Sequence, residues 1–128
     1  MWLLGYPEAA LADIDYALTD AREIGQVATL MYALGHLTHF FCGNYAASMA
    51  QSDELLALAD QKGASLLFWK ARGMMNRGCV LAMTGKPADA VQVITSGIAA
   101  RRSTGATLNV SFSHLARAYA DLKQFDDA

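Results

Sequence analysis

The 128-residue sequence is poor in the features that mark most specialised proteins. It has two prolines and no serine or glycine tract, which leaves no place for a flexible linker. Charged residues make up 17% against the usual figure of about 25%. A net charge of −2, with Lys and Arg scattered, gives no electrostatic case for nucleic acid. No apolar run approaches the roughly 20 residues needed to cross a bilayer, and the apolar start MWLL is too short for a signal-peptide core. Two cysteines, Cys42 and Cys79, sit inside apolar helical stretches with no secretory signal ahead of them, which fits a reducing cytoplasm. Strands have no room in a chain of antiparallel helix pairs joined by short turns.

What is present is repetition. Gly85 to Gly105 reads GKPADAVQVITSGIAARRSTG, with degenerate copies from Gly5 to Gly25 and from Gly43 to Gly63, all with the same 20-residue separation. Glycine spacing alone is weak evidence in a chain with ten glycines. Apolar positions in register carry the case: Leu11, Met49 and Val91; Ile14, Ser52 and Ile94; Ala17, Leu55 and Gly97; Leu18, Leu56 and Ile98. Only Ser52 departs from the pattern.

Each copy reads as one helix. Pro7 and Pro87 suit first helical positions, Asn44 suits a cap, and Gly25, Gly63 and Gly105 suit left-handed stops. Leu11, Ile14, Ala17, Leu18 and Ala21 form the first inward stripe. In the second copy Met49, Leu55, Leu56 and Ala59 point inward, with Gln51, Asp53, Glu54 and Asp60 outward. Between the copies lie two further helical stretches, Val27 to Cys42 and Ser65 to Thr84, and a last one follows from Thr107 to about Leu122. Gly78, inside the second of these, costs about 1 kcal/mol relative to alanine and predicts a close approach by a neighbouring helix.

Equivalent points recur at 38, 42 and 38 residues (Gly5, Gly43, Gly85, Lys123). The expectation is an all-α domain spanning 1–128, an α-α superhelix of antiparallel helix pairs. Its units fall at about 1–25, 26–63, 64–105 and 106–128, cut in mid-repeat at both ends.

Phe112, Leu115, Ala116, Tyr119, Phe125 and Ala128 give FxxLAxxYxxxKxFxxA, which resembles the tetratricopeptide repeat. Met74, Gly78, Leu81, Gly85, Ala90, Ile94 and Gly97 follow the pattern more loosely; in the second unit His36, His39 and Ser48 depart from it. The spacings also exceed the family's 34. The whole further resembles the long, irregular tetratricopeptide tails of bacterial signalling proteins such as nucleotide cyclases and ATPase-type transcriptional activators.

That resemblance implies a non-catalytic, regulatory interaction module without cofactor, binding a protein or peptide in a concave groove. The alternative it leaves is a small-molecule-sensing regulatory domain. The inner surface it implies carries Leu37, Phe41, Arg72, Asn76, Cys79, Met83, Ser113, Arg117 and Asp121. Asn76 stands where chaperone-type members grip a terminal carboxylate, but Ala33 and Leu37 replace the other polar groups of that clamp.

Other candidate sites are thinner. His36, His39 and Cys42 are spaced by three on one stretch, which fans them over about 120° with no fourth ligand nearby, so no metal site is expected. Cys79 and His114 lack an orienting acid for nucleophilic chemistry. Lys70, Arg72, Arg77, Arg101 and Arg102 spread over two helices as a solvated rim. A repeat array with bare MWLL at one end and an opening helix at the other predicts self-association through uncapped ends.

Overall fold

Four backbone positions set the frame of the chain: Gly5, Gly43, Gly85 and Lys123 all have positive φ, at 85°, 78°, 77° and 60°. These are the points that recur at 38, 42 and 38 residues, so each repeat turns at the same place by the same left-handed residue. The computed structural model describes residues 4–62, 66–104 and 110–124. Among them are seven helical segments: α1 (Pro7–Ile24), α2 (Val27–Leu34), α3 (Thr38–Phe41), α4 (Tyr45–Lys62), α5 (Leu67–Met83), α6 (Pro87–Arg102) and α7 (Val110–Asp121). Counting α2 and α3 as one interrupted helix, six helices pack in adjacent antiparallel pairs. The stops expected at Gly63 and Gly105, and the pieces 1–3 and 125–128, lie outside the described residues.

Local signals act as the sequence implies. Pro7 and Pro87 open α1 and α6 with an acid in each first turn, Glu8 and Asp89. Gly25 ends α1 at φ 70°, its N–H bonded to the Ala21 carbonyl. The Asn44 Oδ1 accepts from the Ala47 N–H at 3.3 Å and caps α4.

The register positions hold the core together. Ile14, Ser52 and Ile94 are all buried, and the exception is only chemical: the Ser52 hydroxyl donates to the Ser48 carbonyl at 2.8 Å and so enters the interior satisfied. One apolar cluster joins α1, α2 and α4 through Ile14, Leu18, Met31, Leu34 and Leu55. Another joins α5, α6 and α7 through Leu81, Ala82, Ala90, Ile94, Ile98 and Ala118. Phe40, Cys79 and Val80 bridge α3 to α5.

The centre of the molecule is built on missing side chains. A Cβ on Gly78 would stand 2.3 Å from Ile94 Cγ1, one on Gly97 2.8 Å from Met75 Cγ, and one on Gly73 2.9 Å from Leu56 Cγ. Helices α4, α5 and α6 therefore approach more closely than alanine allows, as expected for Gly78.

Three expectations need correction. Val27 to Cys42 is not one helix: it breaks over Gly35 to Leu37. Gln51, expected outward, is buried, with its Oε1 unpartnered. Ala17, expected inward, is exposed. The last two have one cause, because the stripe at 10, 13, 17 and 20 on α1 and its equivalents on α4 belong to the face where another helix packs. On α4 that face is covered; on α1 it is covered at Ala10 but open at Asp13, Ala17 and Asp20.

Gly78→Ala tests the close approach. Helix propensity favours alanine by about 1 kcal/mol, but collision with Ile94 outweighs it, for a net loss of about 1–2 kcal/mol in denaturant unfolding. Combining it with Ile94→Ala, which removes the colliding atom, should cost less than the sum of the two single changes. Strict additivity would show that no such collision exists.

Candidate functional site

The break between α2 and α3 is the origin of the site. In an unbroken helix the Gly35 carbonyl would accept from the N–H four residues on. Here it accepts instead from Arg72 Nε at 2.8 Å and Asn76 Nδ2 at 3.1 Å, both from α5. Gly35 leaves room for that arm: a Cβ there would lie 2.8 Å from Arg72 Nε. The chain then turns through His36 and Leu37 and restarts as the single turn α3.

A groove of about 930 Å³ lies between α1 and the α2–α3 segment. Its floor is apolar, from Ala10, Ile14 and Ala17 on one side and Ala28, Ala33 and Phe41 on the other. Asp13 and Asp20 stand along it, with Thr29, Tyr32, His36 and Thr38 opposite; the lining contains no Lys or Arg. Tyr32 is 65% exposed and packs edge-on against both His36 and Trp69. The α1 contribution runs from residue 10 to residue 20, roughly 15 Å of helix.

The nine residues expected on an inner surface divide into four groups. Arg72 and Asn76 hold the Gly35 carbonyl, and Asn76 is buried. Cys79 is buried with Phe40 and Val80, and Leu37 and Met83 pack against that cluster. These five side chains serve the interior more than any partner, and Asn76 and Cys79 in particular are out of a partner's reach. Phe41, 39% exposed, lines the groove. Ser113, Arg117 and Asp121 lie exposed on α7, where Arg117 Nε is 3.9 Å from Asp121 and the Ser113 hydroxyl is 3.4 Å from His114 Nδ1.

The groove itself, apart from Phe41, was not among the expected sites. Its signal was nonetheless present: Ala10, Asp13, Ala17 and Asp20 lie three and four residues apart, on one face. In register with Leu55 and Gly97, Ala17 belongs to a contact face.

The remaining candidates also acquire structural roles. His39 is buried, its Nε2 3.1 Å from Asp15 Oδ1 and its Nδ1 3.5 Å from Asn44 Nδ2. Cys42 Sγ lies 3.9 Å from the Pro7 carbonyl, and His36 meets Tyr32 edge-on, so the three side chains spaced by three have separate partners. No group of three or more His, Cys, Asp or Glu among the described residues could hold a metal ion. His114 meets Phe40 edge-on. Among the basic residues, Lys70 pairs with Asp60 at 2.6 Å and Arg77 with Asp53 at 2.9 Å, while Arg101 lies over the Phe68 ring at 4.6 Å. No helix among the described residues is long and apolar enough to cross a membrane.

Charge is unevenly placed around Gly35. Partial desolvation and the Arg72 guanidinium together lower the His36 pKa from its ordinary 6.5. Burial lowers that of Arg72, and Arg101 adds to the effect while Tyr32 opposes it.

Two measurements probe this corner. Asn76→Ala removes one of the two side-chain donors to a buried carbonyl and should cost about 1–3 kcal/mol in denaturant unfolding. For His36 the sign follows from its lowered pKa. The unfolded chain takes up the proton first, so stability held above about pH 6.5 declines as pH falls towards the folded value. His36→Gln should therefore show a shallower loss of melting temperature on acidification than the wild type; equal slopes would refute the coupling.

No protein-family model, curated protein or solved structure matches the chain.

Proposed function

We propose that the chain is a non-catalytic protein-interaction module, a tetratricopeptide-like solenoid whose groove between α1 and α2–α3 receives an α-helix. The single observation that carries this reading is the form of that groove. It follows α1 for about three turns, has an alanine-rich floor that lets a backbone come close, and is edged by Asp13 and Asp20 with no basic residue in its lining. A helix with small and apolar side chains on one face and Lys or Arg beside them matches it in shape and charge. Phe41 and Tyr32 supply aromatic surface of the kind that anchors such contacts.

The repeat pattern of the sequence supports the same reading. Two polar side-chain contacts between successive helices, Asp15 with His39 and Asp53 with Arg77, each span 24 residues. A solenoid of this kind offers extended helical faces for docking, with regulation as the wider role that the sequence resemblance suggests.

A synthetic helical peptide with an Ala/Leu stripe and lysines flanking it provides the test, read by fluorescence anisotropy and by NMR shift mapping. Binding should perturb Ala10, Asp13, Ala17 and Phe41, weaken as salt rises, and fall at least about tenfold with Ala17→Arg. Shifts at the groove from small aromatic amines, with none from any helical peptide, would instead assign it to small-molecule sensing.

A further inference from the structure

We infer that Arg72 and Arg101 form a binding site for the phosphate group of a small aromatic phosphate monoester, with the rings of Tyr32 and Trp69 beside them. Neither arginine lines the groove, so this site is independent of what the groove receives.

Two helices bring the arginines together. Phe68 and Arg72 lie one turn apart on one face of α5, and Arg101, in the last turn of α6, sets its Cζ 4.6 Å above the Phe68 ring centroid. Expected on a solvated rim, both arginines are instead half-buried. Trp69 meets Phe68 edge-on at 5.1 Å and Tyr32 edge-on at 6.0 Å. A row of three rings thus runs from α2 along the first turn of α5 to Arg101.

The pair lacks a counter-charge. Arg22, Lys70 and Arg77 each have a carboxylate, from Glu54, Asp60 and Asp53, at 2.7, 2.6 and 2.9 Å. Among the described residues no carboxylate pairs with Arg72 or Arg101. Burial first, and Arg101 second, lower the Arg72 pKa, and Tyr32 alone opposes them, with no carboxylate acting on the group. Two guanidiniums held this close without an acid leave a positive corner for an anion to neutralise.

Their hydrogen-bonding capacity is also unspent. A guanidinium has five N–H donors. Arg72 commits Nε to the Gly35 carbonyl at 2.8 Å, which orients the group and leaves its Nη edge for a ligand. Arg101 Nε is shut away from solvent with no hydrogen-bond partner. A buried donor left unmade is costly, and rotation of this side chain, one residue from the end of α6, presents the same donor to an oxyanion.

Charge selects the ligand class. A phosphate monoester carries about −1.5 to −2 at pH 7 and has three acceptor oxygens, enough to neutralise both guanidiniums and accept from both forks. A single carboxylate supplies half that charge. Tyr32, 65% exposed, offers open ring surface to an aromatic group on the ligand.

Phenyl phosphate is the probe, with inorganic phosphate and benzoate for comparison. Each is titrated into the full chain at about 20 mM salt, where charge attraction is little screened, and followed by NMR through the Nε–H resonances of Arg72 and Arg101. Phenyl phosphate should shift both saturably with a Kd below about 1 mM. It should bind at least about fivefold more tightly than inorganic phosphate, which lacks the ring, and than benzoate, which lacks the second charge.

Arg101→Gln should weaken binding at least about tenfold, whereas Arg102→Gln, at an exposed neighbour of equal charge, should change it by less than about twofold. Arg101→Lys keeps the charge without the fork and should lose at least about threefold. Circular dichroism checks each fold, and the lysine variant carries the comparison if the glutamine variant does not fold. Helical-peptide binding in the groove should survive Arg101→Gln, so failure of one site is seen apart from failure of the other. No saturable shift at either arginine up to about 10 mM phenyl phosphate, equal losses from Arg101→Gln and Arg102→Gln, or equal affinity for inorganic phosphate or benzoate would each overturn the inference.

Discussion

One carbonyl oxygen, that of Gly35, decides the shape of the N-terminal half. Two donors from α5 claim it, and a helix cannot keep its own hydrogen bond at a carbonyl so engaged. The result ties α2 to the centre of the molecule while sending α3 off its axis. The groove beside α1 runs past the break, with His36 and Thr38 in its lining. Arg72 and Asn76 hold the carbonyl at the break without lining the groove.

The break falls in one of the two shorter repeats. The interval from Gly43 to Gly85 is four residues longer than its neighbours, which is about one helical turn. Helix α5 accommodates that turn in a continuous run from Leu67 to Met83, whereas the equivalent stretch in the preceding unit is shorter and is broken. The last interval, Gly85 to Lys123, is equally short, yet α7 runs unbroken from Val110 to Asp121, so shortness alone does not break a helix.

Much of the architecture was legible because it depends on local chemistry and period. Prolines at helix starts, glycines at left-handed stops and the repeat of Ile14, Ser52 and Ile94 each specify one backbone choice, and helix pairing follows. The groove was harder to read because its cause is not local. Nothing in VATLMYALGHLTHFFC announces that the Gly35 carbonyl will be claimed by residues 37 and 41 positions later. Assigning Gln51 and Ala17 to faces failed for a related reason: burial depends on whether another helix lies there. Asn76 and Cys79 look like groove residues from their helix positions, but the close approach of α4 and α6 encloses the helix that carries them.

Helix α5 has a further consequence for how the molecule comes apart. Gly73 and Gly78 make it a weak helix on its own, each costing about 1 kcal/mol against alanine. Those glycines are also what allow Leu56 and Ile94 to press against it from either side. Its helicity is thus borrowed from its neighbours, and losing either flank exposes a segment that cannot stand alone. Stacked helical repeats commonly fray from their ends inward, one unit at a time. In this chain the helix that most needs both flanks, α5, lies at the centre, where α4 and α6 press on it from either side.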